Sequence, residues 1–329
     1  MNIAILGAGA WGTALAINLS SRHQVTLWTK DPHHLAALTA QRNNQQFLPG
    51  FFLPESIRLT SALDVALGAA EFALIVVPVA GLRETLRSVV ATGLAIPILW
   101  GCKGFESQAA KLPHQIVQEE YGSAVPSGVL SGPSFAQEVA QGLPTALTLA
   151  SHDEEFSQKI ALQLHSTRLR VYSSKDVIGV EVGGAIKNVI SIAAGISDGM
   201  GFGYNARAAL LTRGLMEITR LGVKLGGCLE TFMGLSGVGD MILTCTGDLS
   251  RNRRVGLMLA DGQSLSEILR QLGHVAEGVY AAAAAQSLSR ELGVEMPITQ
   301  AICGILYERV PARDAVEILL NRDPKIERL

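Results

Sequence analysis

The sequence has few charged residues, few aromatic residues and almost no excess of either charge. Charged side chains make up 17% of the 329 residues and aromatic side chains 5%. The 27 lysines and arginines are balanced by 29 acidic residues, which leaves a net charge of −2. No overall field therefore favours nucleic acid or an anionic membrane surface, and we expect neither as a partner.

Cysteines are also few, and apolar runs are short. The four cysteines form no Cys-x-x-Cys pair, and the scattered histidines suggest no metal site. No basic segment or cleavage site precedes the strand predicted from residue 2, so we expect buried, reduced thiols in a cytoplasmic protein. The apolar residues 72–77 and 182–196 fall short of the roughly 18–20 residues that span a membrane.

Residues 1–180 alternate between short apolar strands and helical segments. Strands that are apolar on both faces and separated by helices are typical of parallel sheets covered on both sides. We therefore predict an α/β dinucleotide-binding domain over 1–180, with a Rossmann-like, doubly wound, mostly parallel sheet. The predicted strands cover residues 2–6, 24–29, 57–60, 72–77, 96–100, 128–131, 146–150 and 169–172.

Residues 43–54 break this alternation, and the strand signal fades further along the chain. Residues 43–54 carry three phenylalanines and two prolines, which predicts a long loop, either a lid near a ligand or a loop anchored by apolar packing. We predict that residues 181–329 form an all-α substrate and catalytic domain, which ends in a frayed charged tail. Its predicted helices cover residues 177–197, 205–221, 228–234, 253–260, 264–272, 277–292, 297–307 and 312–320.

The first strand runs directly into Gly7-x-Gly9-x-x-Gly12 and then into a helical pattern. In a dinucleotide site Gly7 permits the tight turn, Gly9 lets the backbone approach a pyrophosphate, and Gly12 allows close packing of helix on strand. The helix N-terminus adds free N–H groups and a partial positive charge. The motif predicts a bound dinucleotide, with a purely structural glycine turn as the alternative.

The end of the second predicted strand bears on which dinucleotide is bound. Asp31 lies near the position of the acidic residue that binds the ribose 2′-OH of NAD, but Asp followed by Pro32 is also a strong helix start. We favour the capping role, which leaves Lys30 free to meet a 2′-phosphate. We therefore expect NADPH to be accepted, alongside NADH, unless Lys30 is only a solvated lysine.

Two further segments follow buried strands, at the sheet edge where ligands bind in open α/β folds. Lys103 stands after the strand at 96–100. Gly132 and Ser134 follow the strand at 128–131, in a segment that runs to residue 136 and is followed by a predicted helix N-terminus, whose amides could serve a phosphate or cofactor. Ordinary turn chemistry explains this second segment equally well.

Lys187 is the one ionisable residue between Glu181 and Asp198, in a helical pattern whose neighbouring face is small. Partial desolvation of such an ammonium lowers its pKa toward the range useful for proton transfer. A lysine that reaches water along the helix is the alternative.

Downstream, two segments add charged and polar groups. Asp240 offers a carboxylate in a glycine-rich turn. Ser250, Arg251 and Asn252 concentrate donors at a helix start, which suits a phosphate dianion, although such a cluster can also be a solvated helix face.

With these motifs in order, the chain resembles the bacterial NAD(P)-dependent sn-glycerol-3-phosphate dehydrogenases over nearly its full length. The segments that carry the resemblance are residues 7–14, 103–104, 131–136, 142–146, 183–188, 205–213, 237–240, 243–246, 250–254 and 295–299. The resemblance implies a helical C-terminal domain, a cytoplasmic homodimer, and a role in supplying the glycerol phosphate of phospholipids.

The resemblance also implies roles for single residues. It makes Lys187 the proton acceptor. It places eight residues around the glycerol phosphate: Lys103, Gly132, Ser134, Lys187, Asp240, Ser250, Arg251 and Asn252. It places around the cofactor Ala10, Trp11, Lys30, Lys103, Ala136, Arg251, Val275 and Glu277. Because relatives often carry serine at position 10, the contact of Ala10 must come from its backbone N–H.

We therefore expect reversible hydride transfer between NAD(P)H and dihydroxyacetone phosphate. One alternative is a related β-hydroxyacid or 6-phosphogluconate-type dehydrogenase, which shares the two-domain plan and a helix-borne lysine. The other is a non-catalytic dinucleotide sensor.

Overall fold

The computed structural model describes residues 1–107, 109–273 and 276–322 and divides the chain into two compact units. The first unit is Met1–Lys103 with Pro113–Val177, and the second is Gly104–Leu112 with Ile178–Leu329. The charged C-terminal tail that we predict to fray lies outside the described residues.

The first unit contains a doubly wound sheet flanked by helices. Its strands are β1 Asn2–Leu6, β2 Gln24–Trp28, β3 Asn43–Asn44, β4 Leu48–Phe52, β5 Arg58–Thr60, β6 Phe72–Ile75, β7 Ile98–Trp100, β8 Ser127–Ser131, β9 Thr145–Ala150 and β10 Leu169–Ser174. Its helices are α1 Ala10–Leu19, α2 Pro32–Gln41, α3 Leu63–Leu67, α4 Val79–Ala91, α5 Pro113–Glu120, α6 Ala136–Ala140 and α7 Glu154–Leu164.

The predicted mostly parallel sheet is confirmed. Its eight strands run in the order β10-β9-β8-β7-β6-β1-β2-β5, and every neighbouring pair is parallel except β8 with β9. Read from β5, the first six strands have the 3-2-1-4-5-6 order of dinucleotide-binding folds. The order reverses between β1 and β6, so the carboxyl end of β1 lies at the point where such sheets bind ligands.

The prediction of a long loop over residues 43–54 is wrong, because β3 and β4 form a small antiparallel hairpin there. Leu48 is 2% exposed and packs with Ala14 and Val139, whereas Phe52 is 73% exposed. Proline and glycine inside a segment argue against a strand, but burial of Leu48 holds this hairpin on the first unit. Of the two alternatives, apolar anchoring is the one that the packing shows.

The second unit is helical: residues 104–107, 109–112, 178–273 and 276–322 contain no strand. A π-helical turn, Leu235–Gly239, precedes α11. The helices are α8 Val177–Gly199, α9 Gly203–Lys224, α10 Leu229–Phe232, α11 Asp240–Thr246, α12 Arg251–Ala260, α13 Leu265–Leu272, α14 Glu277–Leu292, α15 Pro297–Tyr307 and α16 Ala312–Leu320.

Helix α8 is the core helix of this unit. Its 23 residues extend beyond the apolar stretch predicted at 182–196, and by length and composition alone α8 could cross a membrane. However, 94% of its most apolar window is buried inside the protein. Ile186, Val189 and Ile190 are fully buried in the main core cluster of the unit. We therefore interpret α8 as a core helix and not as a membrane span.

The expectation of buried, reduced thiols holds for three cysteines and is wrong for one. All four are free, and Cys102, Cys245 and Cys303 are buried. Cys228 is exposed and is the N-cap residue before the short helix α10.

Candidate active site

The glycine motif forms the turn between β1 and α1. Gly7 has a φ of +122°, which favours glycine, and a Cβ on Gly12 would lie 1.9 Å from the Gly7 carbonyl oxygen. Gly9 differs, since its φ of −75° suits any residue and a Cβ there would meet no protein atom within 4 Å. Neither backbone nor packing demands glycine at position 9, so the open space fits a ligand that approaches the main chain.

This turn also fits a dinucleotide electrostatically. Gly9 is the N-cap of α1 and has no side chain to cap the helix, and the first intrahelical bond is Thr13 N–H to Gly9 O at 3.0 Å. The N–H groups of the first turn are therefore left for an anion. Ala10 begins α1, and Trp11 is partly buried in the same turn.

Beyond β2, Asp31 has the capping role that the sequence favours. Its carboxylate accepts a hydrogen bond from the His33 N–H at 2.9 Å, and Pro32 is the first residue of α2. Lys30 Nζ lies 3.1 Å from Glu84 Oε2, with side chains 69% and 72% exposed. Exposed pairs of this kind stabilise little, so Lys30 can exchange Glu84 for another anion.

Lys103, Gly132 and Ser134 meet at one carbonyl group. The Gly132 oxygen accepts hydrogen bonds from Lys103 Nζ at 3.0 Å and from the Ser134 hydroxyl at 3.0 Å. Gly132 has a φ of +130°, and Ala136 begins the short helix α6 two residues after Ser134. The first unit thus gathers an ammonium and a hydroxyl where β7 and β8 end.

The second unit buries an ion pair. Lys187 on α8 is 6% exposed and Asp240 at the start of α11 is 1% exposed. Lys187 Nζ donates to Asp240 Oδ1 and, at 2.8 Å, to the hydroxyl of Thr244. A buried charge without a partner is costly, so the carboxylate and hydroxyl let the helix keep an ammonium here.

Small residues allow α11 to reach this lysine. A Cβ on Gly183 would lie 2.4 Å from the Ser236 carbonyl oxygen in the π-helical turn. A Cβ on Gly237 would lie 2.0 Å from the Phe232 carbonyl oxygen. The first approach brings the π-helical turn before α11 against α8, and the second packs that turn against the end of α10.

Ser250 acts as the cap of α12. Its hydroxyl accepts from the Arg253 N–H at 3.2 Å and lies 3.0 Å from the hydroxyl of Ser191. Ser191 donates its proton to the Thr244 carbonyl at 2.8 Å, so Ser250 must be the donor to Ser191. In this structure Ser250 therefore caps and braces the start of α12, and its contact with the phosphate stays a prediction.

Asn252 and Arg251 have different surroundings although they are neighbours. Asn252 is buried, donates to Asn188 Oδ1 at 3.0 Å and accepts from the Gly278 N–H at 3.0 Å. Its amide carries two protons, and these contacts use one of them. Arg251 is exposed at the first position of α12, where its guanidinium can bind an anion bidentately.

Glu277 begins α14 and is partly buried. Burial raises the pKa of its carboxyl to about 7, and the Arg251 guanidinium opposes this rise. Val275, the other predicted cofactor residue in this segment, lies outside the described residues.

Another carboxyl group, Glu217 on α9, lies outside the predicted site. It is 1% exposed and accepts from the backbone N–H groups of Ile298 at 2.6 Å and Thr299 at 3.1 Å, at the start of α15. Burial raises the pKa of Glu217 to about 7. It lines a cavity of about 670 Å³, and no predicted site residue is among the described residues around that cavity. We assign Glu217 to capping α15.

The sequence analysis missed three polar partners in the second unit. Thr244 contacts Lys187, and its position four residues after Asp240 on α11 could have indicated a shared helix face. Asn188 follows Lys187 directly and binds Asn252. Ser191 had no signal of its own, because its role depends on Ser250, which is distant in sequence.

The fold and these groups define a class, the two-domain dehydrogenases with a Rossmann-type first domain. Residues 2–157 match the family model for the NAD-dependent glycerol-3-phosphate dehydrogenase N-terminus. Residues 176–317 match the model for the C-terminus of the same family. The chain belongs to the NAD-dependent glycerol-3-phosphate dehydrogenase family.

Individual relatives agree over the full length. The chain is 67% identical over 331 residues to the glycerol-3-phosphate dehydrogenase (NAD(P)+) of Nitrosospira multiformis, with 99% of each protein covered. It is 63% identical to the enzyme of the same name from Nitrosomonas europaea, again with 99% of each covered. The crystal structure of a glycerol-3-phosphate dehydrogenase from Coxiella burnetii has a TM-score of 0.93 and 42% identity, covering 98% of this chain and 99% of that one.

Proposed function

We propose that this chain catalyses the reversible reduction of dihydroxyacetone phosphate to sn-glycerol 3-phosphate with NADPH or NADH. Membership of the family and the names of relatives that are 67% and 63% identical support the substrate and the cofactor. The observation that carries the chemistry is the buried contact of Lys187 with Asp240, which keeps a proton donor inside the second unit.

The dinucleotide, when bound, supplies or accepts a hydride at C4 of its nicotinamide ring. We assign its diphosphate to the turn at Gly7, Gly9 and Gly12 and to the first amides of α1 at Ala10 and Trp11. The open space at Gly9 supports this assignment. Six further residues remain proposed cofactor contacts: Lys30, Lys103, Ala136, Arg251, Val275 and Glu277. Of these, Val275 is outside the described residues.

Lys187 moves the proton of the reaction. In the reducing direction its ammonium gives a proton to the C2 oxygen, and in the oxidising direction its neutral amine takes the proton from the C2 hydroxyl. Asp240 and Thr244 hold Nζ from the side of α11. The positive charge of Lys103 stabilises the developing alkoxide.

The phosphate is assigned to the start of α12. Arg251 binds it through the guanidinium, Asn252 through its remaining amide proton, and Ser250 holds the helix start in place. Binding energy gained at the phosphate then orients the reacting carbon, which is remote from it. Gly132 and Ser134 are proposed as further substrate contacts.

The wider assignments rest on the family resemblance. We propose that residues 1–180 bind the dinucleotide and that residues 181–329 carry the substrate chemistry. We further propose a cytoplasmic homodimer that supplies the glycerol phosphate of phospholipids.

One assay tests substrate, cofactor and reaction together. We expect the purified protein to oxidise NADPH when dihydroxyacetone phosphate is added. In the opposite direction, we expect it to reduce NADP+ far more slowly with β-hydroxyacid or 6-phosphogluconate-type substrates than with sn-glycerol 3-phosphate. Turnover of those carboxylates in preference to the triose phosphate would indicate the related dehydrogenase. Binding of NADPH without any turnover would indicate a dinucleotide sensor.

A further inference from the structure

Asn44 joins the hairpin to the glycine turn. It is 1% exposed, and its Nδ2 donates to the Ala8 carbonyl oxygen at 2.8 Å and to the Thr13 hydroxyl at 2.7 Å. Its Oδ1 accepts from the Phe47 N–H at 3.2 Å. Because a carbonyl can only accept and a backbone N–H can only donate, these contacts determine which way the amide faces.

The bonding continues through His34 to the end of β2. His34 Nε2 lies 3.2 Å from Asn44 Oδ1, and Nδ1 lies 3.2 Å from the Thr29 hydroxyl. Since Asn44 Oδ1 is an acceptor, Nε2 must carry the proton. A buried chain of hydrogen bonds therefore connects Thr29, which precedes Lys30, with the turn at Ala8.

The Ala8 carbonyl oxygen and the Gly9 N–H belong to one peptide unit. In a planar trans peptide the C=O and N–H bonds point in opposite directions. The hydrogen bond from Asn44 therefore sets the direction of the Gly9 N–H, at the position where the space beside the backbone is open.

We propose that Asn44 is a positioning residue for dinucleotide binding, which acts through the Ala8–Gly9 peptide without touching the ligand. This proposal rests on the proposed function, because it assigns a role to the turn that binds the diphosphate. It also gives a role to the β3–β4 hairpin, which delivers Asn44 and is held down by the buried Leu48.

The test is Asn44→Ala in the full-length protein. We expect the Kd for NADPH, measured by fluorescence titration, to rise about 10- to 100-fold. Without the hydrogen bond from Asn44, the Ala8–Gly9 peptide is no longer fixed in one orientation. The kcat at saturating NADPH and the KM for dihydroxyacetone phosphate should stay close to the wild-type values, since Asn44 touches neither reactant.

Two variants separate positioning from folding. Asn43→Ala truncates the neighbouring buried residue of β3, whose Oδ1 has no hydrogen-bond partner among the described residues, and it should leave the Kd for NADPH unchanged. Thr13→Val removes the other acceptor of Asn44 but keeps the bond to Ala8, and it should also bind NADPH normally. Thermal unfolding is recorded for all three variants.

Each outcome decides the proposal. A weakened Kd for Asn44→Ala alone, with kcat retained, supports it. An unchanged Kd for Asn44→Ala overturns the proposal. An equal weakening of NADPH binding in Asn43→Ala, in parallel with a loss of thermal stability of that variant, overturns it too. Absence of turnover in the wild-type protein would contradict the proposed function instead, and the comparison of NADPH Kd values would still test Asn44.

Discussion

The two units hold their functional groups in different ways. In the first unit the proposed diphosphate site consists of backbone amides in the open turn at Gly9. In the second unit the proposed proton-transfer site consists of polar side chains on helices, the buried Lys187 and Asp240. Amides at a helix start can face water without loss, whereas a buried ammonium must be paired. The first kind of site is local in sequence, and the second requires residues that are 53 positions apart.

Removing the lysine should have the largest effect. We expect Lys187→Ala to lower kcat by roughly 10²- to 10⁴-fold, because the reaction loses its proton donor and acceptor. The Kd for NADPH should change little, because Lys187 is not among the proposed cofactor contacts. Steady-state kinetics and fluorescence titration measure the two effects.

A double variant controls for the unpaired charge. Lys187→Ala leaves Asp240 buried without its cation, which costs about 3–5 kcal/mol of stability. Lys187→Ala combined with Asp240→Asn should recover part of that stability but none of the kcat. Near-normal turnover in either variant would remove Lys187 from the proposed mechanism.

A variant of Arg251 tests whether the start of α12 binds the phosphate of the substrate. We expect Arg251→Ala to raise the KM for dihydroxyacetone phosphate about 10- to 100-fold, the equivalent of losing a charge-assisted contact. At saturating NADPH, the same variant should behave like wild type with dihydroxyacetone, which has no phosphate. Arg254→Ala, an exposed neighbour on the same helix, is the matched control. An equal loss with both substrates would refute the assignment.

Two glycine substitutions sharpen the contrast within the first unit. Gly9→Ala should fold normally, since its Cβ meets no protein atom, but should weaken NADPH binding about tenfold or more because the methyl group occupies the ligand's space. Gly12→Ala should lower the melting temperature, because its Cβ would lie 1.9 Å from the Gly7 carbonyl oxygen. Normal NADPH affinity in Gly9→Ala is the result that contradicts a dinucleotide site there.

Glu217 should have the smallest effect on activity, because its expected effect is on the pH dependence of stability. Its pKa is about 7 in the folded protein against 4.5 as its ordinary value, so the folded state binds more protons between these pH values. Stability therefore falls as pH rises from about 4.5 to about 7, by at most about 3 kcal/mol for this group. Glu277, whose pKa is also raised to about 7, adds a decline of the same sign.

Glu217→Gln isolates this contribution. Denaturant unfolding at several pH values should show a shallower decline for the variant than for the wild type. The variant also loses one acceptor at the start of α15, which lowers stability by a similar amount at every pH. Parallel curves for the two proteins would show that Glu217 has no raised pKa.

Local sequence was enough for some features and not for others. The glycine turn and the Asp31 cap follow from residues adjacent in the chain, and both were predictable. The hairpin at 43–54 was missed, because the burial of Leu48 outweighs the proline and glycine beside it. The position of Ser250 at a helix start was predictable, but its bond to Ser191, 59 positions away, was not.

By itself, the sequence determined the class of fold, the family and the residue types available for chemistry, because periodicity and glycine spacing are properties of neighbouring residues. Only the tertiary structure decided which polar groups are paired. Lys187 meets Thr244, and Asn44 meets Ala8, across 57 and 36 positions of the chain. Hydrogen bonds depend on distance and direction in space, and chain order alone does not specify either of them.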